Sequence, residues 1–405
     1  MGDELRNYFL NLVSFSTLRD IYYVIINITA MISYKYKLYR TDKVKDLEKM
    51  KREACFIWNH ALSLQKRYYK LYKKYIPLGA MKHHFVKRIK RHYLHSQSAQ
   101  EVLERLDAAY ARFFKHLAVR PPKFKKHSDF SSFCYKQSGF SLCGNVFHVN
   151  AVKKDYKFFY SRPYEGKVKQ VRLKQSPNGD WYLYVVTDAV PESYTKTHDG
   201  ASVGIDFGLK TYLTLSNGDK LQNPQFLRRD LKKVSKASHD HSTKVIGSNN
   251  REKARIALDR LHEHISNCRS DFQWKLSHEL CRRYDYIFIE DLNLQGMTKL
   301  WGRKMTDIAH GQFVKILCEV ATKYGCTVHK IDRWFPSSKL CDCGYINKSL
   351  TLSDREWVCP ECGQIHDRDA HAAEMILRRG VYELASGSKT NEATAEGHSA
   401  FATVS

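Results

Sequence analysis

Three acidic motifs and two pairs of cysteines in the second half of this 405-residue chain supply the residue types that hold metal ions. Asp206 lies in GIDFGLKT, Glu290 in YDYIFIEDLNL, and Asp367 and Asp369 in DRDAHAAEMI. The first two acids each close a short apolar run, ASVGID and YIFIE, that reads as a buried strand. A carboxylate at the end of a buried strand is costly unless a cation meets it. After the third motif, Ala372, Ala373, Met375 and Ile376 recur at helical spacing, which puts its acids in the first turn of a helix. Two strand-end acids and one helical acid can converge on one point, where like charges repel unless divalent ions sit among them. Hard oxygen ligands select magnesium or manganese over zinc, and two such ions can activate a water and stabilise the leaving oxygen of a phosphodiester. Any one of these acids alone would more often cap a helix or close a turn, so the inference rests on the combination.

The chain has 11 cysteines. Seven are scattered singly through apolar or helical context, which fits a reducing cytoplasm better than a secreted disulfide framework. The other four, Cys341, Cys343, Cys359 and Cys362, form Cys-x-Cys and Cys-x-x-Cys pairs in turn-rich sequence between the second and third acidic motifs. Four thiolates at nearly this spacing make a zinc ribbon, a small fold with too little core to stand without metal. The first pair is one residue tighter than the usual knuckle, which leaves a metal-free loop as the alternative.

A net charge of +25 points to a polyanionic partner, with nucleic acid favoured over an anionic membrane surface. Residues 31–130 hold 25 Lys and Arg against 8 Asp and Glu, so most of the surplus lies far along the chain from the acids. There the cations alternate with aromatics, as in QKRYYKLYKKYIP, HHFVKRIKRHYLH and RPPKFKKHSDF. Cations grip phosphates and aromatic faces take unstacked bases, so the mixture suits RNA or melted DNA. Lys73, Lys74, Arg88, Arg91, Lys123, Lys125 and Lys126 are the candidate contacts. Solvated helix faces and core tyrosines are the plainer reading of any one stretch.

The elements that must position these residues follow from periodicity. Residues 1–30 read as an upstream extension before a natural start at Met31, so a chain beginning there is expected to fold and act. Their apolar stretch IYYVIINITAMI is too short to span a bilayer, and the segment before it has an Asp-Glu pair where a signal peptide would be basic. A strand is expected at Ile32–Leu38, helical patterns over 43–115, and short alternating runs with a Ser176-Pro177-Asn178-Gly179 turn over 120–188. A polar linker, 191–200, leads to the first acidic strand, followed by a hairpin through Asn217-Gly218. A helix over 249–284 separates the first acid from the second. Helix, strand, cysteine loop and last helix complete the order, and 386–405 reads as a disordered tail.

The series GIDFGLKTYLTLSNG, IEDLNLQGM, DRWFPSSKLC, LTLSDREWVCPECG and HDRDAHAA, in this order, resembles the TnpB (OrfB) proteins of bacterial insertion sequences, over about residues 31–380. Those are RNA-guided DNA nucleases related to type V CRISPR effectors. The resemblance implies a multidomain α+β protein: a β-barrel wedge domain (31–45 and 119–190) interrupted by a helical recognition domain (46–118). It further implies an RNase H-like, RuvC-type nuclease (191–337 and 366–385) with an inserted zinc ribbon (338–365). It also implies a guide RNA from the element's own end, a double-stranded DNA target cut beside a short duplex motif, and no membrane. Asp206, Glu290 and Asp369 take the positions of the three RuvC acids, with Asp367 as the fallback for the third. Arg333, Ser337 and Ser338 in DRWFPSSK are candidates to approach the scissile strand, against the plainer role of a strand-end turn. The tight first knuckle and His371, where most relatives have Asn, depart from the family pattern. A transposase joining DNA ends, a guided repressor that does not cut, and a plain nucleic-acid-binding module are the rival readings; intact acids weigh against the last two.

Overall fold

The computed structural model describes residues 31–189, 194–197, 200–292, 296, 302, 307–351 and 354–386. The upstream extension, half of the linker and all but the first residue of the expected tail lie outside them. The chain divides into two compact units, Met1–Pro191 and Glu192–Ser405. Among the described residues, no helix is long and apolar enough to cross a membrane.

The first unit begins with β1 (Ile32–Lys37), whose antiparallel partner is β7 (Trp181–Thr187), roughly 150 residues later. With β2 (Ser132–Tyr135) and β6 (Val168–Gln175) they form a sheet of order β1-β7-β6-β2. β3 (Phe140–Cys143), β4 (Val146–Val149) and β5 (Lys154–Lys157) make a second sheet, reached from β1 through the Leu38–Phe158 bridge. Between β1 and β2 run α1 (Val44–Tyr72), α2 (Leu78–Lys87) and α3 (Ser96–Phe114). α1 buries Leu47, Met50, Ala54, Ile57, Trp58, Ala61 and Leu62, one stripe at helical spacing. That stripe shares a single core with Val102 and Leu106 of α3 and with Phe133, Phe147 and Leu183 of both sheets. The helical stretch is thus an insertion in sequence packed into the same core as the strands around it.

In the second unit β8 (Ser202–Phe207), β9 (Thr211–Leu215), β10 (Lys220–Gln222), β11 (Tyr286–Glu290) and β12 (Thr327–Ile331) form one sheet of order β10-β9-β8-β11-β12. β8, β11 and β12 run parallel, while β9 and β10 return antiparallel at one edge. α4 (Phe226–Thr243) and α5 (Asn249–Arg283) separate β10 from β11, α6 (His310–Tyr324) precedes β12, and α7 (Arg368–Ala385) closes the unit. Sequence periodicity missed α4. None of its residues is fully buried, and its first amides are met from outside: Leu227 N donates to Asp307 Oδ1 at 2.9 Å.

Strand parity decides which way the acids face. Val203 and Ile205 of β8 and Ile287 and Ile289 of β11 share one core with Leu276 and Leu280 of α5 and Phe313 and Leu317 of α6. Alternation therefore turns Gly204, Asp206, Phe288 and Glu290 to the opposite face, where Phe288 packs with Ile376 of α7. The register pairs Phe288 with Gly204 and Ile289 with Ile205, so Asp206 and Glu290 come next on neighbouring parallel strands. α7 lies close against this face because two glycines make room: a Cβ on Gly204 would meet the Ala373 carbonyl oxygen, and one on Gly380 would enter the Phe288 ring. Gly204→Val is accordingly expected to lower stability by about 1–3 kcal/mol through overpacking, read as a lower urea midpoint. An unchanged midpoint would show that α7 does not rest on the sheet this closely.

Candidate metal centres

Asp206 occupies the penultimate position of β8 and Glu290 the last of β11, both at the C-terminal edge of the parallel strands. Asp369 is in the first turn of α7. The structure brings these three carboxylates together. Burial first, and then the charges of Glu290 and Asp369, raise the Asp206 carboxyl from its ordinary 3.8 to about 8, with Arg368 opposing them. Burial also raises Glu290, against a hydrogen bond that Ser337 Oγ donates to Glu290 Oε1. Ser337 is itself buried. Arg355 spans Asp369, with Nη1 3.0 Å from both carboxylate oxygens.

Asp367, the alternative third acid, has different work. Its Oδ1 accepts from the backbone N–H groups of Asp369 (3.1 Å) and Ala370 (3.0 Å), which makes it the N-cap of α7. Its Oδ2 meets Lys220 Nζ at 2.6 Å, and although burial works against it, these partners hold the carboxyl below its usual range. Two adjacent-looking acids are thus divided between starting the helix and facing Asp206.

The four cysteines gather in the loop that precedes α7: Cys341 and Cys343 lie in the turn closed by the Leu340–Ile346 bridge, and Cys359 and Cys362 in the turn between β13 (Glu356–Val358) and β14 (Ile365–Asp367). Their sulfurs lie within 4.8 Å of one another, with Cys341–Cys362 and Cys343–Cys359 each 3.5 Å apart. Sulfurs tetrahedrally bound at the usual metal–thiolate length stand about 3.8 Å apart, so the four fit one thiophilic ion. The short knuckle closes because Gly344 takes a left-handed φ of 93° and its N–H donates to Cys341 O at 2.9 Å, a turn that side chains disfavour. Burial raises the Cys359 thiol, but the amides of Cys362 and Glu361 and the neighbouring thiols outweigh it and bring it down to about 7. Among the described residues, Leu350, Trp357 and the partly buried Tyr345 add apolar packing to Cys341 and Cys359. His366 Nε2 lies 3.2 Å from Cys341 Sγ, and His371 Nε2 donates to Leu340 O at 2.7 Å. His371 thereby ties α7 to the chain just before the first cysteine pair.

Arg333 is paired with Asp291: its Nε donates to Asp291 O at 3.0 Å and a second nitrogen meets the carboxylate. In the first unit Lys73, Lys74, Arg88, Lys123 and Lys126 are exposed. Arg91 instead donates to Phe85 O (2.7 Å) and Val86 O (3.1 Å) near the C-terminus of α2, and Lys125 sits over the Trp58 ring at 4.4 Å. Those two are tied into the protein. Sequence reasoning missed Arg355 and Arg368 and gave Ser337 a different role, because their links to the acids cross 14 to 162 residues and leave no local signal.

Known proteins match the chain in the same places. A family described as "Probable transposase" matches residues 184–300, and one described as "Cas12f1-like, TNB domain" matches 310–376. A protein of Streptomyces pristinaespiralis named "Putative RNA-guided DNA endonuclease" is 33% identical over 369 residues, covering 88% of this chain and 90% of that one. A similarly named Escherichia coli K12 protein, InsQ, is 29% identical, covering 82% and 88%. Among solved structures, the Cas12f1 protein of a complex with guide RNA and target DNA superposes with a TM-score of 0.53 at 12% identity, covering 83% of each chain.

A proton and a divalent ion would compete for the Asp206 carboxylate. Its raised pKa means the folded, metal-free protein holds an extra proton between about pH 4 and 8, so this group's contribution to stability is lost as pH rises across that window. A divalent ion favours the ionised form. The rise in melting temperature on adding magnesium is therefore expected to be larger at pH 8 than at pH 5.5, and Asp206→Asn should flatten the difference. Equal shifts at both pH values would contradict the assignment.

Proposed function

This chain belongs to the TnpB (OrfB) family of insertion-sequence proteins, and on that premise we propose that it is an RNA-guided DNA endonuclease of RuvC type. The observation that carries the catalytic part is the convergence of Asp206, Glu290 and Asp369 at the C-terminal edge of one parallel sheet. The sheet order β10-β9-β8-β11-β12, antiparallel on one side and parallel on the other, supports the RNase H-like reading.

In the proposed mechanism Asp206, Glu290 and Asp369 are the residues that would hold two magnesium ions, for which manganese could substitute. Bound there, the pair supplies activation of the attacking water and stabilisation of the departing 3′ oxygen. Ser337 fixes the Glu290 carboxylate by its hydrogen bond. Arg355 holds Asp369 and adds positive charge where a phosphate must approach. Asp367 starts α7 and so sets the position of Asp369. The exposed cations of the first unit, Lys73, Lys74, Arg88, Lys123 and Lys126, suit the backbone of a guide RNA and of the guide–target heteroduplex, leaving sequence choice to base pairing. Zinc is the ion that best fits four thiolates in a ribbon with so small a core.

Sequencing the RNA that copurifies with the protein tests guidance: a discrete noncoding species ending in a variable segment is expected, and random cellular RNA would overturn the reading. Asp206→Ala and Glu290→Ala should each lower magnesium-dependent cleavage of a matched target by at least about a thousandfold while leaving RNA binding unchanged. Elemental analysis should find one zinc per chain, lost in the Cys341→Ser, Cys359→Ser double variant; a full equivalent retained in that variant would refute the ribbon assignment.

A further inference from the structure

Trp334 is 85% exposed, more than any other aromatic side chain among the described residues. It stands in a turn pinned on both sides to the acidic centre. Arg333, immediately before it, is bonded to Asp291, and Ser337, three residues after it, is bonded to Glu290. Three residues of chain span at most about 11 Å, so the indole cannot be far from the metal-holding carboxylates. The turn is fixed from below as well. Trp334 N donates to Asp332 Oδ1 (3.1 Å), Phe335 N to Asp332 O (3.2 Å), and Asp332 N to the buried Glu383 (3.4 Å). Phe335 packs on Phe288, Ile331 and Ile376, with the Arg379 guanidinium 5.4 Å over its ring.

A single exposed apolar residue is ordinary on a protein surface. An exposed tryptophan on a turn whose backbone is held beside a carboxylate cluster, with Arg333 next to it in the chain and Arg379 over the ring of the following Phe335, is a surface suited to a ligand with both a flat aromatic face and negative charge. An unpaired nucleotide has both. We propose that Trp334 is the stacking platform for an unpaired base of the DNA strand next to the scissile phosphate, and that it holds this strand in place for cleavage. The subsite deepens the endonuclease reading above and rests on it for the identity of the strand.

The test uses the full-length protein with its copurified RNA. DNA strands matching the RNA's variable segment carry 2-aminopurine at each position around the cut in turn, with calcium in place of magnesium. Quenching at one or two positions beside the cut is expected, lost in Trp334→Ala and restored in part by Trp334→Phe. In magnesium, Trp334→Ala should cut natural DNA about tenfold more slowly in single turnover, with RNA binding and urea midpoint unchanged. Wild type should lose the same factor on DNA with an abasic residue at the quenched position, and the variant should lose nothing more there. Guided cleavage that is normal in Trp334→Ala, or an abasic defect that multiplies with the substitution, would overturn the proposal. A strand of unrelated sequence separates the two readings: if guidance fails, Trp334-dependent quenching persists on that strand, whereas quenching that Trp334→Ala leaves intact on both strands sinks the stacking site alone.

Discussion

Like charges held close together in a poorly solvated place govern the second unit. Asp206 carries its proton up to about pH 8 because burial and the charges of Glu290 and Asp369 make its ionised form unfavourable. Such an arrangement is a net liability to folding, and the rest of the unit works to maintain it. Cations contributed by the protein, Arg355 on Asp369 and Arg368 near Asp206, offset part of the repulsion. What remains is a repulsion that a divalent ion would relieve.

The sheet and α7 enforce that convergence through packing. β8 and β11 lie in register with their odd positions turned to α5 and α6, which leaves the two acids on the face that α7 covers. α7 comes within reach because Gly204 and Gly380 remove the side chains that would hold it off, and Phe288 fills the space opposite Gly380. Packing on one face and electrostatics at its rim are thus coupled: anything that lifts α7 separates Asp369 from the other two carboxylates.

The cysteine ribbon is more than an attachment before that helix. Arg355, at the edge of β13, reaches Asp369, and His371 of α7 returns to Leu340 beside the first knuckle. Few of the described apolar residues pack around the four cysteines, so an ion held by the thiolates would also steady Asp369 indirectly.

Much of this was legible in the sequence for a physical reason. Strand and helix periodicity are local, so β1, the hairpin through Asn217-Gly218 and the long helix α5 could be read from short windows. The acids that close β8 and β11 were equally legible, because a carboxylate ending an apolar run is conspicuous. α4 was not, since it buries no residue completely and owes its first-turn partner to Asp307, far along the chain. Nor could spacing alone separate Asp367 from Asp369, which lie two residues apart at a helix start. That choice depended on Lys220 and on the backbone amides that Asp367 caps. By itself the sequence determined which residue types were present and which local element each would occupy. The tertiary structure decided which of them meet, because contacts such as Ser337 with Glu290 or Arg355 with Asp369 follow from register and packing between distant segments.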